Sequence, residues 1–81
     1  MVPSKEAKII FLVLSTQQEK GHDRWKIGHS YKGMSFKKWR QATDELIDHK
    51  VIQMVQPMIF RLNPNWPSEC DADYLVQLFE D

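Results

Sequence analysis

The sequence predicts a single α+β domain, mostly α, that spans residues 1–81. Three observations predict it: two long segments that each begin at a serine cap, a run rich in β-branched residues at 51–62, and a short acidic segment near the C-terminus with apolar residues at helical spacing. A chain of this length buries about 60% of the surface that its unfolded form exposes, which is sufficient for one core. We place that core in residues 5–65 and assign residues 66–81 to a C-terminal loop and helix.

The first helix is predicted to run from Lys5 to about Lys20. Ser4 can cap it, and Gly21 can end it because glycine readily adopts a positive φ. The apolar run at 9–14 is continuous, so periodicity alone also permits a strand there, but the length between the caps favours a helix. The helix is apolar nearly all round, so one of its sides is expected to contact another element or another subunit.

A second long helix is predicted from Phe36 to about His49, capped by Ser35. Before it, residues 24–27 fit a brief extended segment, and residues 28–33 leave room for only one or two helical turns between glycines. Apolar and small residues recur along the second helix in steps of three, one, three and one, which define one buried stripe. They are Trp39, Ala42, Thr43, Leu46 and Ile47.

Two short strands are predicted within residues 51–62, joined by a turn at Gln56–Pro57. A loop rich in proline and asparagine follows the second strand. A final helix then begins, which Ser68 or Asp71 can cap. The apolar face of that helix consists of Tyr74, Leu75, Leu78 and Phe79.

Charge is distributed unevenly along the chain, although the net charge is zero. Residues 1–40 carry nine Lys or Arg against three Asp or Glu, whereas residues 41–81 carry two against eight. Six cations and no carboxylate lie within residues 24–40. Two interpretations are open: a basic face that binds an external anion, or a solvated face whose lysines pair with the acidic C-terminal half.

The first two turns of the second helix hold the side chains that bear on this choice. Lys37, Lys38, Arg40 and Gln41 fall outside the apolar stripe, so they are expected to face away from the core. A cation near a helix N-terminus opposes the macrodipole by about 0.3–1 kcal/mol. Helix stability alone would favour carboxylates there, so the position of Lys37 and Lys38 indicates an external anion.

Several classes of function are disfavoured by the sequence. His22, His29 and His49 with Cys70 do not have metal-ligand spacing, and no phosphate-binding glycine loop or nucleophile motif is present. We therefore expect neither an enzyme nor a bound metal or cofactor. The single cysteine fits a reducing compartment, and no apolar segment reaches the length of a membrane span, so a cytoplasmic location is expected.

The order of predicted elements and the stretch KGMSFKKWRQATDELIDHKVI at 32–52 resemble the winged helix-turn-helix superfamily. The superfamily's pattern of a glycine, an apolar residue, a cap and spaced apolar positions is matched by Gly33, Met34, Ser35, Trp39 and Leu46. Thr43 and Lys50 depart from it, since they stand where an aliphatic residue and a glycine are usual. The stretch IFRLNPNW at 59–66 is similar, over few residues, to the wing exit of RepL-type plasmid replication proteins.

The resemblance implies a winged helix-turn-helix fold with a short two-stranded wing and a C-terminal helix. It also implies that the helix from Ser35 enters the major groove of double-stranded DNA, where Arg and Lys donate to guanine and Gln pairs with adenine. Phe36 fits either a thymine-methyl contact or a partly buried cap residue. The candidates for base contacts are Lys37, Lys38, Arg40 and Gln41. The candidates for backbone contacts are His29, Tyr31, Lys32 and Ser35 at phosphates, with Arg61 of the wing near the flanking minor groove.

The function expected from these observations is binding of double-stranded DNA by a small transcriptional regulator, or by a replication or mobile-element protein of a plasmid or phage. A homodimer formed through Phe11, Leu12 and the C-terminal helix is expected, and with it a palindromic site. The alternative is a winged-helix module that binds a protein and not DNA. Zero net charge, a wing turn without cations and an acidic C-terminal half fit that alternative.

Overall fold

The computed structural model of the chain describes residues 3–28 and 33–80. Its strands form one antiparallel sheet, in which the strand at Ile59–Leu62 lies between the strands at Trp25–Lys26 and Ile52–Gln56. The α+β class is confirmed, and both long helices begin at the predicted residues. The short helix expected within residues 28–33 falls mostly on 29–32, outside the described part of the chain. In chain order the elements are α1 (Lys5–Glu19), β1 (Trp25–Lys26), α2 (Phe36–Asp48), β2 (Ile52–Gln56), β3 (Ile59–Leu62) and α3 (Ala72–Leu78).

α1 ends in a Schellman motif, in which the residue after the C-cap adopts a positive φ. That residue is Gly21, with φ 90°. Its amide donates to Gln18 O at 3.0 Å, and the His22 amide donates to Gln17 O at 2.9 Å. A Cβ at Gly21 would meet no described atom within 4 Å. Glycine is therefore favoured there by backbone conformation and not by lack of space.

α2 ends in the same motif, but with Lys50 in the position of the glycine. Lys50 has φ 62°, and the two amides that follow the C-cap donate to Ile47 O at 3.0 Å and Leu46 O at 2.9 Å. The Lys50 carbonyl accepts hydrogen bonds from Asn63 Nδ2 at 2.9 Å and Cys70 Sγ at 3.1 Å. These contacts hold a lysine in a conformation that L-residues rarely adopt.

Replacing Lys50 by glycine is expected to raise the free energy of unfolding by about 0.5–1 kcal/mol. The reason is that a left-handed conformation costs an L-residue roughly 1–2 kcal/mol, while the extra freedom of glycine in the unfolded chain offsets part of that gain. Gly21→Ala is the matched opposite change and is expected to destabilise by about 1 kcal/mol. Urea unfolding followed by circular dichroism measures both; a less stable Lys50→Gly would mean that the lysine side chain outweighs its backbone strain.

The core lies between the two long helices and the sheet. α1 contacts α2 and β3, and α2 contacts β2. The buried side chains of α2 belong to the predicted stripe, with Ile47 at its partly exposed edge. The opposite side of α2 is therefore left in solvent. The main buried residues are Ala7, Ile10 and Leu14 of α1, Trp39, Ala42 and Leu46 of α2, and Ile27, Val51, Ile52 and Phe60 in and beside the strands.

Thr43 and Trp39 show how α2 accommodates polar atoms in the core. Thr43 is buried, and its hydroxyl donates to Arg40 O at 3.1 Å, so a polar residue is tolerated in an aliphatic position. Trp39 anchors the helix, with 6% of its surface exposed and its ring centroid 6.2 Å from that of Phe60. Among the described residues, Trp39 Nε1 has no hydrogen-bond partner.

β2 and β3 form a hairpin whose turn residues are Pro57–Met58, one residue later than predicted. Pro57 supplies the fixed φ of the first central position, and Met58 has the positive φ of the second, 66°, which fits a type II turn. β2 is an edge strand, and a bulge lies between Met54 and Gln56. Met54 is therefore 57% exposed, although it pairs opposite buried Phe60.

α3 packs against α2 through a cluster centred on Glu45. The Tyr74 hydroxyl donates to the Glu45 carboxylate, and the Ser4 amide donates to the same oxygen at 3.2 Å. The His49 ring stacks on Tyr74 at 3.9 Å, and His49 Nδ1 lies 3.1 Å from Oδ2 of Asp71, the N-cap of α3. Burial, and then Glu45, raise the pKa of Tyr74, so its phenol stays protonated and can donate. The cluster joins the start of α1 to α2 and α3.

Phe11 is part of the packing within the chain. Its ring centroid lies 5.4 Å from Trp66 and 5.5 Å from Phe79, and only 6% of its surface is exposed. The loop after β3 and the end of α3 cover Phe11, so little of its surface is left for a second subunit, and the expected homodimer stays a prediction. Leu12, the next residue, is 65% exposed.

Candidate nucleic-acid interface

The start of α2 is fixed by its cap. Ser35 has an extended backbone, and its Oγ accepts a hydrogen bond from the Lys38 amide at 3.2 Å. Gly33 has φ 74°, and Met34 is partly buried against the core. The cap therefore determines where the helix begins and where its first-turn side chains point. The hydroxyl hydrogen of Ser35 is not used in the cap bond, so the residue can still donate to a phosphate.

The four predicted base-contact residues are all exposed. Successive residues of a helix are rotated by about 100°, so Lys37 and Gln41 lie along the outward line of α2, opposite its buried stripe. Arg40 lies on one flank of that line and Lys38 on the other. The four side chains thus cover the exposed half of the first two turns. We call residues 35–41 the cationic segment.

The side-chain ammonium groups of Lys37 and Lys38 make no hydrogen bond or ion pair with any residue in 3–28 or 33–80. The first turn of α2 contains no acidic residue that could offset them. Their ammonium groups therefore add to the positive end of the helix dipole. In the described part of the chain, the first turns of α1 and α3 each contain a carboxylate, Glu6 and Asp73, whereas the first turn of α2 contains none.

Arg40 differs from the two lysines because it has a carboxylate partner. Its Nε donates to Asp44 Oδ2 at 3.3 Å, and the two side chains are 63% and 58% exposed. An exposed pair at this i,i+4 spacing contributes only about 0.3–0.5 kcal/mol, so an external anion can compete for Arg40. The Arg-x-x-x-Asp spacing is visible in the sequence, and the count of charges within 24–40 overlooked it because Asp44 lies just beyond that range.

Asp44 and Asp48 continue the outward line of Lys37 towards the end of α2. Both are exposed, and carboxylates repel DNA phosphates. The outward face of α2 therefore changes sign along its length. Along this face of α2, the cationic segment is the part that contains no carboxylate.

Phe36 occupies the first position of α2 with a half-exposed ring. Its exposed fraction is 54%, and its centroid lies 5.8 Å from that of Trp39, with the ring planes tilted by 35°. The contact with Trp39 matches the role of a partly buried residue that fixes the helix start. The exposed half of the ring leaves the thymine-methyl contact open as a second role.

Arg61 lies within β3 and not at the hairpin turn. It pairs directly opposite Gln53, and its Nε and Nη2 donate to Gln53 Oε1 at 3.1 and 2.9 Å. The turn itself, Pro57–Met58, carries no charge. The guanidinium is therefore held against the sheet, and its contact with a minor groove stays a prediction.

Three predicted phosphate-contact residues, His29, Tyr31 and Lys32, lie outside the described residues. Their contacts also stay predictions. Gly28 and Gly33 flank them, and Gly33 leads directly into the cap of α2. The chain order therefore places these three residues beside the cationic segment in sequence.

Within the described ranges, 3–28 and 33–80, no group of three or more His, Cys, Asp or Glu side chains is placed to hold a metal ion. No helix in these ranges has the length and apolar character that crossing a membrane requires.

Comparisons with known proteins identify no relative: no protein-family model, no curated protein and no solved structure matches the chain.

Proposed function

We propose that the chain is a double-stranded DNA-binding domain of the winged helix-turn-helix kind. The cationic segment, residues 35–41, enters the major groove, and α2 carries it there as the recognition helix. In the cell it acts in the cytoplasm as a small transcriptional regulator or as the DNA-binding part of a plasmid or phage replication system. It is not an enzyme under this proposal.

The observation that carries the proposal is the exposed, unpaired position of the Lys37 and Lys38 ammonium groups at the start of α2. Both are exposed, neither ammonium group pairs with a described residue, and both sit where the helix dipole disfavours a cation. An external polyanion removes that unfavourable interaction on binding. Lysine and arginine contacts to phosphate release condensed counterions and supply most of the non-specific affinity for DNA.

The order of elements supports the winged-helix part of the proposal. The chain passes through α1, β1, α2 and then a hairpin, and β3 of the hairpin pairs with β1. The sheet therefore lies beside α2 without covering its outward face. A single helix of this width fits a major groove about 12 Å across.

A protein-binding module with the same fold is the second candidate, and one observation favours it. Phe36 is 54% exposed at the front of α2, and the hairpin turn carries no cation. A half-exposed aromatic ring beside lysines also suits an acidic, apolar peptide. Under this alternative, α2 contacts a protein partner through the same segment.

A titration by fluorescence anisotropy distinguishes the two candidates. Labelled duplex DNA of random sequence is titrated with the protein at about 50 mM and about 200 mM salt. We expect the protein to bind DNA at the lower salt concentration. At the higher salt concentration the affinity should fall several-fold for each phosphate contact. No binding at about 50 mM salt would reject the DNA proposal and leave the protein-binding module.

Asp44→Asn is expected to strengthen DNA binding. The change removes a carboxylate from the outward line of α2 and frees Arg40 to contact a phosphate, so affinity at low salt rises by roughly 3- to 10-fold. Asp73→Asn is the matched control, since it makes the same charge change on α3. Equal effects of the two substitutions in the same titration would show that only net charge matters and that α2 is not the contact helix.

A further inference from the structure

α1 carries a stripe of exposed residues at heptad spacing, away from the proposed DNA contact. Lys5, Leu12 and Glu19 are all exposed and lie seven residues apart. A heptad step drifts by only about 20° around a helix, so the three side chains share one line along α1. The stripe therefore has a cation at its start, an apolar residue at its centre and a carboxylate at its end.

An apolar groove of about 630 Å³ runs beside this stripe, between α1 and α3. Its walls include Leu12, Trp66 and Phe79, with Lys8 and Glu19 at its polar edges. Phe79 is 66% exposed, and Val76, one turn earlier, is 60% exposed. Three of the five large apolar side chains that are exposed in the described ranges thus lie on α1, on α3 or at the C-cap of α3. Two of them, Leu12 and Phe79, line the same groove, and exposed apolar side chains that cluster mark an interaction surface.

The charges along α1 indicate which partner fits the exposed stripe and the groove beside it. Leu12 lies midway between Lys5 and Glu19, so an antiparallel copy of α1 centred on Leu12 brings each Lys5 opposite the other copy's Glu19. This is the self-complementarity that a two-fold interface requires. Neither Lys5 nor Glu19 has a side-chain partner among the described residues, so both charges are available to it.

The helix dipole adds a second observation. Lys5 is the first residue of α1 and Glu19 is the last, so each carries the sign of charge that the dipole disfavours at its position. Pairing with the opposite charge of another chain removes both unfavourable interactions. Helix stability alone would favour the reverse arrangement, with the carboxylate at the start of α1 and the lysine at its end.

We propose that the chain forms a two-fold homodimer in which α1 packs antiparallel against α1 of a second copy. Leu12 lies at the axis, Lys5 pairs with the other copy's Glu19 at each end, and the groove beside Phe79 receives apolar side chains of the other copy's α1. This interface does not involve the cationic segment. The dimer proposal can therefore be correct or incorrect independently of the DNA-binding proposal.

Sedimentation velocity of the whole chain, from micromolar to high micromolar concentration, tests the dimer. We expect a concentration-dependent shift from monomer to dimer, as suits an interface of two short helices. Leu12→Glu is expected to remain a monomer throughout. Gln18→Lys, an exposed change off the stripe, is the control and is expected to dimerise like the wild type. A wild-type chain that stays monomeric at every concentration would overturn the proposal.

Charge reversal tests the orientation. Lys5→Glu and Glu19→Lys each place like charges together, so each is expected to weaken the dimer at least about 10-fold. Both changes favour the helix dipole, so loss of the dimer cannot come from a weaker helix. The double variant and an equimolar mixture of the two single variants both restore opposite pairs and are expected to associate again. Failure of both to associate would overturn the antiparallel pairing; circular dichroism confirms that each variant is folded.

Discussion

Replacing Lys37 and Lys38 together by alanine is expected to weaken binding to every duplex sequence by roughly 100-fold at about 0.1 M salt. Each lysine that neutralises a phosphate contributes about 0.9 to the slope of log affinity against log salt. The slope should therefore become less steep by about 1.8. Titrations at four or five salt concentrations give both the affinity and the slope.

The structure separates this loss from a folding defect. Lys37 and Lys38 are exposed, and alanine at the first turn of α2 removes charges that oppose the helix dipole. The double variant should therefore be at least as stable as the wild type. Lys20→Ala, an exposed lysine just beyond α1, is the matched control for Lys37→Ala and should change affinity little. If Lys20→Ala weakened binding as much as Lys37→Ala, the contact surface would lie elsewhere.

Replacing Glu45 by alanine is expected to lower the free energy of unfolding by about 2–3 kcal/mol. The Tyr74 hydroxyl would keep its buried position without an acceptor, and the Ser4 amide would lose its only side-chain partner among the described residues. A buried donor without a partner costs about 1–3 kcal/mol. Urea unfolding followed by tryptophan fluorescence measures the change.

A double-mutant cycle assigns this loss to the hydrogen bond. Tyr74→Phe removes the donor, so adding Glu45→Ala to it should cost clearly less than Glu45→Ala costs alone, with a coupling of at least about 1 kcal/mol. Glu45→Gln keeps an acceptor and should lose less than Glu45→Ala. If the effects of Tyr74→Phe and Glu45→Ala on the free energy of unfolding were additive, the hydrogen bond between these two side chains would contribute nothing to stability.

The boundaries of the two long helices were predictable from the sequence because capping is local. Ser4 and Ser35 each accept a hydrogen bond from an amide three residues ahead, and Gly21 ends α1 with the positive φ that glycine favours. The hairpin after α2 was predictable for a similar reason, since proline at 57 favours a turn, although the turn lies one residue later than predicted. These signals lie within a few residues of the structure that they determine.

Which apolar side chains are buried by tertiary contacts was less predictable from the sequence. Phe11 and Leu12 are neighbours in a continuous apolar run, and only the position of Trp66 and Phe79 decides that Phe11 is covered and Leu12 is not. Met54 lies two residues after buried Ile52, a spacing that predicts the same face of the strand, but Met54 is exposed in an edge strand beside a bulge. Contacts between residues far apart in the sequence determine which of these apolar side chains are buried. The spacing of apolar residues within one segment gives no information about those contacts.

In the candidate site too, features set by local sequence were predictable, and features set by contacts between distant segments were not. The exposure of Lys37, Lys38, Arg40 and Gln41 followed from the helical stripe alone. The position of Arg61 against Gln53 did not, because it depends on the register between β2 and β3. The pairing of Arg40 with Asp44 was available from the i,i+4 spacing, so it was a missed inference and not a limit of the sequence.

The most direct test of the DNA-binding proposal is to locate the contact surface residue by residue. Amide shifts in a nitrogen-15 correlation spectrum of the chain are followed while a short random duplex is added. The largest shifts are expected at Ser35 to Gln41, with α1 and α3 little changed. Shifts concentrated on α1 or α3, or a spectrum unchanged at low salt, would contradict the placement of α2 in the major groove.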